Sequence, residues 1–337
     1  MAFLPSRSCP SSPRVFRGRP DQGHHGAGRA FRPIESRTLK NRHGFSPGTA
    51  LKCLRQPPRS QIIDFLSRAS CEVTGKDSNT AARAEREARC RGAAGSVLAD
   101  IHPKVRANAL YSLTQIRDPE IAKKCSRLLD DISPIVQQTS VIVLGELGSP
   151  EATDLLFEYV KRADEQVKEF ILPTLGSTAD QRAYDILMQY LQSRNADIVA
   201  SAAEGLGYLK DEHARDAILI LCGDTRATVC AGALRALGLI GDPKDRGFVA
   251  GYLHNDYITV RVAAVEALGN IGGSQMLEYL VPALKDEGSS VRQAAVEALG
   301  QQGYILALEP LKQALNDEDR YVRESAKDAI RKLRHRE

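Results

Sequence analysis

The sequence predicts an all-α protein: a right-handed α-solenoid of about eight helical hairpins, each 31 residues long, behind a disordered N-terminal tail. Three observations carry this reading. The segments VRVAAVEALGNIG (260–272) and VRQAAVEALGQQG (291–303) differ only at 262/293, 270/301 and 271/302. Stepping by 31 from Val260 reaches Val105, Val136, Val167, Ile198, Val229, Val291 and Val322, all β-branched and apolar. Eight residues beyond each of these reference positions stand Leu113, Leu144, Leu175, Leu206, Leu237, Leu268, Leu299 and Ile330.

Taken in chain order, residues 1–60 come first. They hold twelve Lys/Arg against Asp21 and Glu35, with Ser, Pro and Gly in abundance and no apolar period. Such a stretch buries too little surface to offset the entropy of ordering, so it reads as a disordered basic tail. Its Arg-rich, acid-poor make-up also suits a transit peptide, which would place the protein in a plastid or mitochondrion. A plain extension or an early start codon would leave it cytoplasmic. Residues 61–87 read as a transition and capping region. SQIIDFLSRA is a short amphipathic helix, followed by a helix capped by Asn79 or Thr80 with Arg83, Arg86 and Arg89 in a basic stripe. The repeat array then occupies 88–337.

Within a copy, apolar or small residues fall at 0, 3, 4, 7 and 8 from the reference, as in Val260, Ala263, Ala264, Ala267 and Leu268. That is one stripe of a 3.6-residue helix. Gly145, Gly176, Gly207, Gly238, Gly269 or Gly300 follows the leucine, and this glycine with its polar followers is expected to end the helix, often in a turn such as Gly241-Asp242-Pro243. A second amphipathic helix completes each hairpin, for example 274–286 and 305–317. Pro173 and Pro282 should kink or shorten the helices that hold them. An acid five residues before the reference (Asp100, Asp131, Asp224, Asp286, Asp317) and a base one residue after it (Arg106, Arg261, Arg292, Arg323) are placed to link each loop and helix to the next copy.

The pattern D-x4-V-R-x2-A-x3-L-G, clearest in DEGSSVRQAAVEALGQQG and NDYITVRVAAVEALGNIG, resembles the HEAT repeat, most closely its phycobilisome-lyase-like subclass. The resemblance implies the fold over about 88–337. Some members of that subclass are bilin lyases or chaperones that attach or detach an open-chain tetrapyrrole; others are scaffolds. The deoxyhypusine hydroxylases of the family bind two irons through His-Glu dipeptides. This chain has none, only the reversed Glu212-His213, so the resemblance does not extend to that site.

For function, the leading expectation is a non-catalytic scaffold or assembly factor that binds a protein partner on a concave helical face. The bilin lyase or chaperone is the alternative. Tyr111, Glu204, Arg235, Glu266, Glu297 and Asp328 each sit six residues after a reference and form the candidate partner-binding row, mostly acidic and suited to a basic surface. Arg235 between Glu204 and Glu266 is the one place that offers both a cation and acids to a bilin. No catalytic residue, cofactor or metal is expected. His102, His213 and His254 share no repeat position, and seven cysteines without a CxxC read as reduced thiols, Cys222 and Cys230 lying near one turn. Beyond residue 60 the chain carries 34 bases against 40 acids, so nucleic acid is an unsuitable partner. No segment has the length of a membrane span.

Overall fold

The computed structural model describes residues 95–115 and 118–334. The readings made for 1–60 and 61–87, the basic stripe included, lie outside the described residues. Among the described residues there are helices and no strand.

The hairpins follow the 31-residue register. α1 (Pro103–Gln115) is followed by α2 (Ile121–Leu128), and α3 (Pro134–Leu147) by α4 (Pro150–Tyr159). Then come α5 (Glu165–Ser177) with α6 (Ala183–Tyr190), and α7 (Ala196–Leu209) with α8 (Arg215–Cys222). The fifth pair is α9 (Ala227–Ile240) with the short α10 (Arg246–Ala250), where Gly247 and Gly251 disfavour a longer helix. α11 (Ile258–Ile271), α12 (Met276–Ala283), α13 (Ser289–Gln302), α14 (Leu308–Gln313) and α15 (Arg320–Arg334) complete the series. Each odd-numbered reference helix packs on the next, and each even-numbered helix packs on the reference helix after it.

Burial follows the predicted stripe. Val136, Val167, Ile198, Val229, Val260, Val291 and Val322 are buried, as is every leucine of the second set and Ile330. Val105, at the start of the described array, is half-buried.

The glycines behave differently from expectation. Gly145, Gly176, Gly207, Gly238, Gly269 and Gly300 lie inside their helices, which run on for one to two residues or more. Helix ends fall three residues later, where Gly148, Ala179, Lys210, Gly241, Gly272 and Gly303 all take positive φ. The internal glycine serves packing. A Cβ on Gly207 would lie 2.7 Å from Ala236 Cα, on Gly238 2.6 Å from Ala267 Cα, and on Gly269 2.8 Å from Ala298 Cβ. In each case the glycine of one copy meets the small residue seven past the reference in the next. Backbones therefore approach more closely than side chains would permit.

Pro282 is the penultimate residue of α12, which is short as expected. Pro173 is accommodated inside α5 without shortening it. It stands six past its reference, beside the buried stripe, so its ring displaces no core side chain.

The acid–base pattern forms a ladder. Arg106 holds Asp131, Arg261 holds Asp286 and Arg292 holds Asp317, each through Nε and a terminal nitrogen of the guanidinium. The third nitrogen of each donates to carbonyls of its own loop: Asp100 and Ile101, Asn255 and Asp256, Asp286 and Glu287. Each aspartate also accepts the amide two residues on, as Asp317 does from Asp319 at 2.8 Å, which shapes the turn into the helix. All three arginines are buried, so the pairs are shielded from water.

Two outcomes are expected. Gly238→Val should destabilise the array by roughly 3 kcal/mol through overpacking, whereas Gly247→Ala, with open space around it, should change stability by under about 1 kcal/mol; thermal melts compare them. Arg292→Ala should cost about 3 kcal/mol at neutral pH, since it strands a buried carboxylate. The bond from Arg292 holds the Asp317 carboxyl below its ordinary range. A depressed folded pKa gives stability that is complete above the unfolded value near about 4 and is lost as pH falls through the folded one. The gap between variant and wild type should therefore narrow in acid, below about pH 4. Denaturant titrations at several pH values check this.

Candidate functional site

The residue six past each reference lies beside the buried stripe, and its exposure varies along the array. Successive reference helices stack in register, so these residues form one row across α1 to α15. The row reads Tyr111, Ile142, Pro173, Glu204, Arg235, Glu266, Glu297 and Asp328. All six candidates are on it. Ile142 and Pro173 belong to the same row and were not among them, because an apolar residue at that spacing gave no signal of polarity.

The row is graded. Tyr111 and Pro173 are half-buried and Ile142 is buried, which makes its first third apolar. In the middle, Glu204, Arg235 and Glu266 are half-buried, and Arg235 Nε lies 3.7 Å from Glu266 Oε2. Tyr208 stands four residues along α7 from Glu204, close enough to act on its carboxyl. Burial pushes the Glu204 carboxyl above its usual range; Arg235 opposes this and Glu266 adds to it. The Tyr208 phenol is raised too, first by burial and then by Glu204. At the far end Glu297 and Asp328 are exposed. Glu297 accepts from Gln293 at 2.9 Å and from Ser325 of the next hairpin at 3.0 Å, and Asp328 pairs with Arg331 at 2.8 Å.

The acidic stripe is thus partly neutralised by its own neighbours, Glu266 by Arg235 and Asp328 by Arg331, while Glu297 on α13 meets neutral donors. Tyr208 is the neighbour of Glu204 that the row of sixth residues does not contain. Its signal was the i,i+4 spacing from Glu204.

His102, on a loop, and His213 and His254, in short 3-10 turns, are exposed at separate places, and His213 Nδ1 lies 2.8 Å from Asp211. Cys222 and Cys230 are buried thiols, the first pushed up to about 12 by burial and by its neighbour Cys230. Among the described residues no group of three or more His, Cys, Asp or Glu is placed to hold a metal ion, and no helix is long and apolar enough to cross a membrane.

Tandem hairpins stacked through their reference helices define the class of helical-repeat arrays. Within that class the chain belongs to the HEAT-repeat family, which matches over residues 93–172, 125–205, 185–258 and 246–331. No curated protein matches the chain significantly. Among solved structures, human deoxyhypusine hydroxylase is similar at 21% identity over 75% of this chain and 98% of its own, with a TM-score of 0.37. The complex of CpcE and CpcF, the phycocyanin lyase of Nostoc sp. PCC7120, is similar at 19% identity over 63% and 94%, TM-score 0.44. YibA of E. coli is similar at 16% over 77% and 99%, TM-score 0.41. These likenesses concern the fold.

The row yields a test of its electrostatics. A carboxyl whose folded pKa is raised contributes stability in acid and loses it as pH rises through that pKa. Glu204→Gln removes this loss and keeps the side chain's size and polarity. Its melting temperature should therefore gain on wild type as pH is raised from about 4 to 7. A constant difference across that range would place Glu204 in an ordinary solvated setting.

Proposed function

We propose that the array is a non-catalytic scaffold or assembly factor that holds a protein partner along the row of sixth residues on its reference helices. The observation that supports this is the grading of the row. An apolar end at Tyr111, Ile142 and Pro173 passes through a paired cluster to exposed acids at Glu297 and Asp328. A surface with apolar anchors and an acidic margin suits a protein segment that combines apolar and basic side chains. The rigid, continuously stacked helices fix the spacing of these groups, as recognition by a repeat array requires.

A bilin-handling role would use Arg235 for a propionate and Glu204 or Glu266 near the pyrrole nitrogens. Arg235 already faces Glu266, so a propionate would have to displace that carboxylate. The scaffold reading needs no such exchange and is preferred.

The test begins with partners recovered by pulldown on the full chain and identified by mass spectrometry. Binding of a recovered partner should weaken by roughly tenfold or more with Glu266→Lys and Glu297→Lys combined, and the loss should shrink as salt is raised and charges are screened. Circular dichroism should show unchanged helicity. Binding that survives the double reversal at low salt would remove the acidic end from the interface. A bilin added to the purified protein should leave its absorbance unshifted; a shift abolished by changing Arg235 would instead favour the tetrapyrrole reading.

A further inference from the structure

The arginine ladder ends on an open rung. In a closed rung the guanidinium is held from two sides. Arg292 donates through Nη1 to the Asp286 and Glu287 carbonyls at 2.9 and 3.2 Å, and through Nε and Nη2 to the Asp317 carboxylate at 2.8 and 2.9 Å. Its Nη2 also reaches the Glu318 carboxylate at 3.2 Å. Arg261 repeats this with Asp286 and, at 3.1 Å, with Glu287. Arg323 is the ladder arginine one repeat further on. Its Nη1 is anchored in the same way, to the Asp317 and Glu318 carbonyls at 2.7 and 2.9 Å. Among the described residues its Nε and Nη2 have no carboxylate partner. The residue is half-buried, whereas Arg261 and Arg292 are buried.

The face of α15 around Arg323 is unlike the same face of the other reference helices. Five residues past the reference, Leu234, Val265 and Val296 are buried, but α15 carries Lys327, which is exposed. Nine past it, where the internal helices carry the packing glycine, α15 has Arg331. A Cβ on Gly300 would already lie 2.5 Å from Ala329 Cβ, so an arginine at that position bars a helix from stacking as the others do. Arg323, Lys327, Arg331 and Arg334 follow at steps of four, four and three residues and so share one face of the helix. Arg331 pairs with Asp328, and Arg320 with Glu324. Among the described residues Lys327, Lys332 and Arg334 enter no ion pair. An anchored guanidinium with two free N–H groups thus stands on a basic face open to water.

We infer that this face of α15 is a docking site for an acidic loop of a partner protein, one that presents an aspartate followed by a second acid. The occupant is read from the closed rungs, where the equivalent arginines hold Asp286-Glu287 and Asp317-Glu318. The loop carbonyls fix Arg323 for the same two-pronged grip before a partner arrives, so little order has to be imposed on it. Lys327 adds a complementary charge one turn further along. A second copy of this chain cannot stack a hairpin here in the register of the array, because Arg331 stands in the glycine's place. A nucleic-acid backbone would need an unbroken run of bases, and Glu324 and Asp328 interrupt this one. The inference stands on the ladder and does not require the row of sixth residues to be a binding surface.

Fluorescence anisotropy on the full chain at about 50 mM salt, where screening is reduced, tests this with a labelled peptide of residues 284–291, which carries Asp286-Glu287. The peptide should bind. The same peptide with Asp286→Asn and Glu287→Gln should bind roughly tenfold more weakly or worse. In the protein, Arg323→Lys keeps the charge and loses the paired N–H edge, so it should weaken binding roughly tenfold. Lys327→Glu alters an exposed side chain outside any ion pair. Helicity by circular dichroism should therefore be unchanged while binding falls by roughly fivefold or more. Lys104→Gln, an exposed charge at the other end of the array, should leave binding as it is. No binding, equal binding of the neutral peptide, or a folded Arg323→Lys variant that binds like wild type would overturn the inference. So would a short DNA duplex that binds more tightly than the peptide and is lost with Lys327→Glu, since the face would then belong to nucleic acid.

Discussion

The array depends on the approach of one helix backbone to the next at the internal glycine. Gly207 on Ala236, Gly238 on Ala267, Gly269 on Ala298 and Gly300 on Ala329 repeat a single contact. It sets the interval between reference helices, and the buried valines and leucines fill what that interval leaves. The even-numbered helices have no equivalent glycine contact and pack through larger side chains. The same interval brings each ladder arginine within reach of the next aspartate. A methyl group at one glycine would therefore disturb a core layer and an ion pair together, because both are drawn to scale by the same distance.

The ladder is a second expression of the register. A buried arginine is costly to desolvate, and these arginines meet the cost with two bonds to a carboxylate and one or two to loop carbonyls. The bonds run from helix to the preceding loop and to the following hairpin at once, so a loop cannot shift without loosening its neighbour. In the central hairpins, where Gln137, Lys168, Val199 and Cys230 replace the arginine, other edges of the molecule supply ties through Arg182, Arg215 and Arg246. Cohesion is kept, but by different means at different junctions.

Much of this was legible in the sequence because repetition multiplies weak signals. Val291, Leu299 and Arg292 gained their meaning from the same residue types at each step of 31. The role of Gly300 was misread, since a glycine followed by polar residues resembles a helix end. The true end, three residues later, is obscured at Ala179 and Lys210, which adopt the left-handed conformation without the usual residue. The candidate row was found as a face, but not its internal pairing. Arg235 and Glu266 are 31 apart in sequence, and only the helix spacing decides whether they meet. The grading of the row was missed because Ile142 and Pro173 were passed over for being apolar.

The polar bonds between hairpins span separations of 25 to 33 residues. Nothing among them requires the two ends of the array to find each other. A growing polypeptide could thus settle one hairpin against the last while the remainder is still being made, and order would spread along the chain like a closing zip. The same locality makes the array tolerant of gain or loss of whole units over evolutionary time. A duplicated segment of 31 residues brings its own glycine, its own small partner and its own side of the ladder.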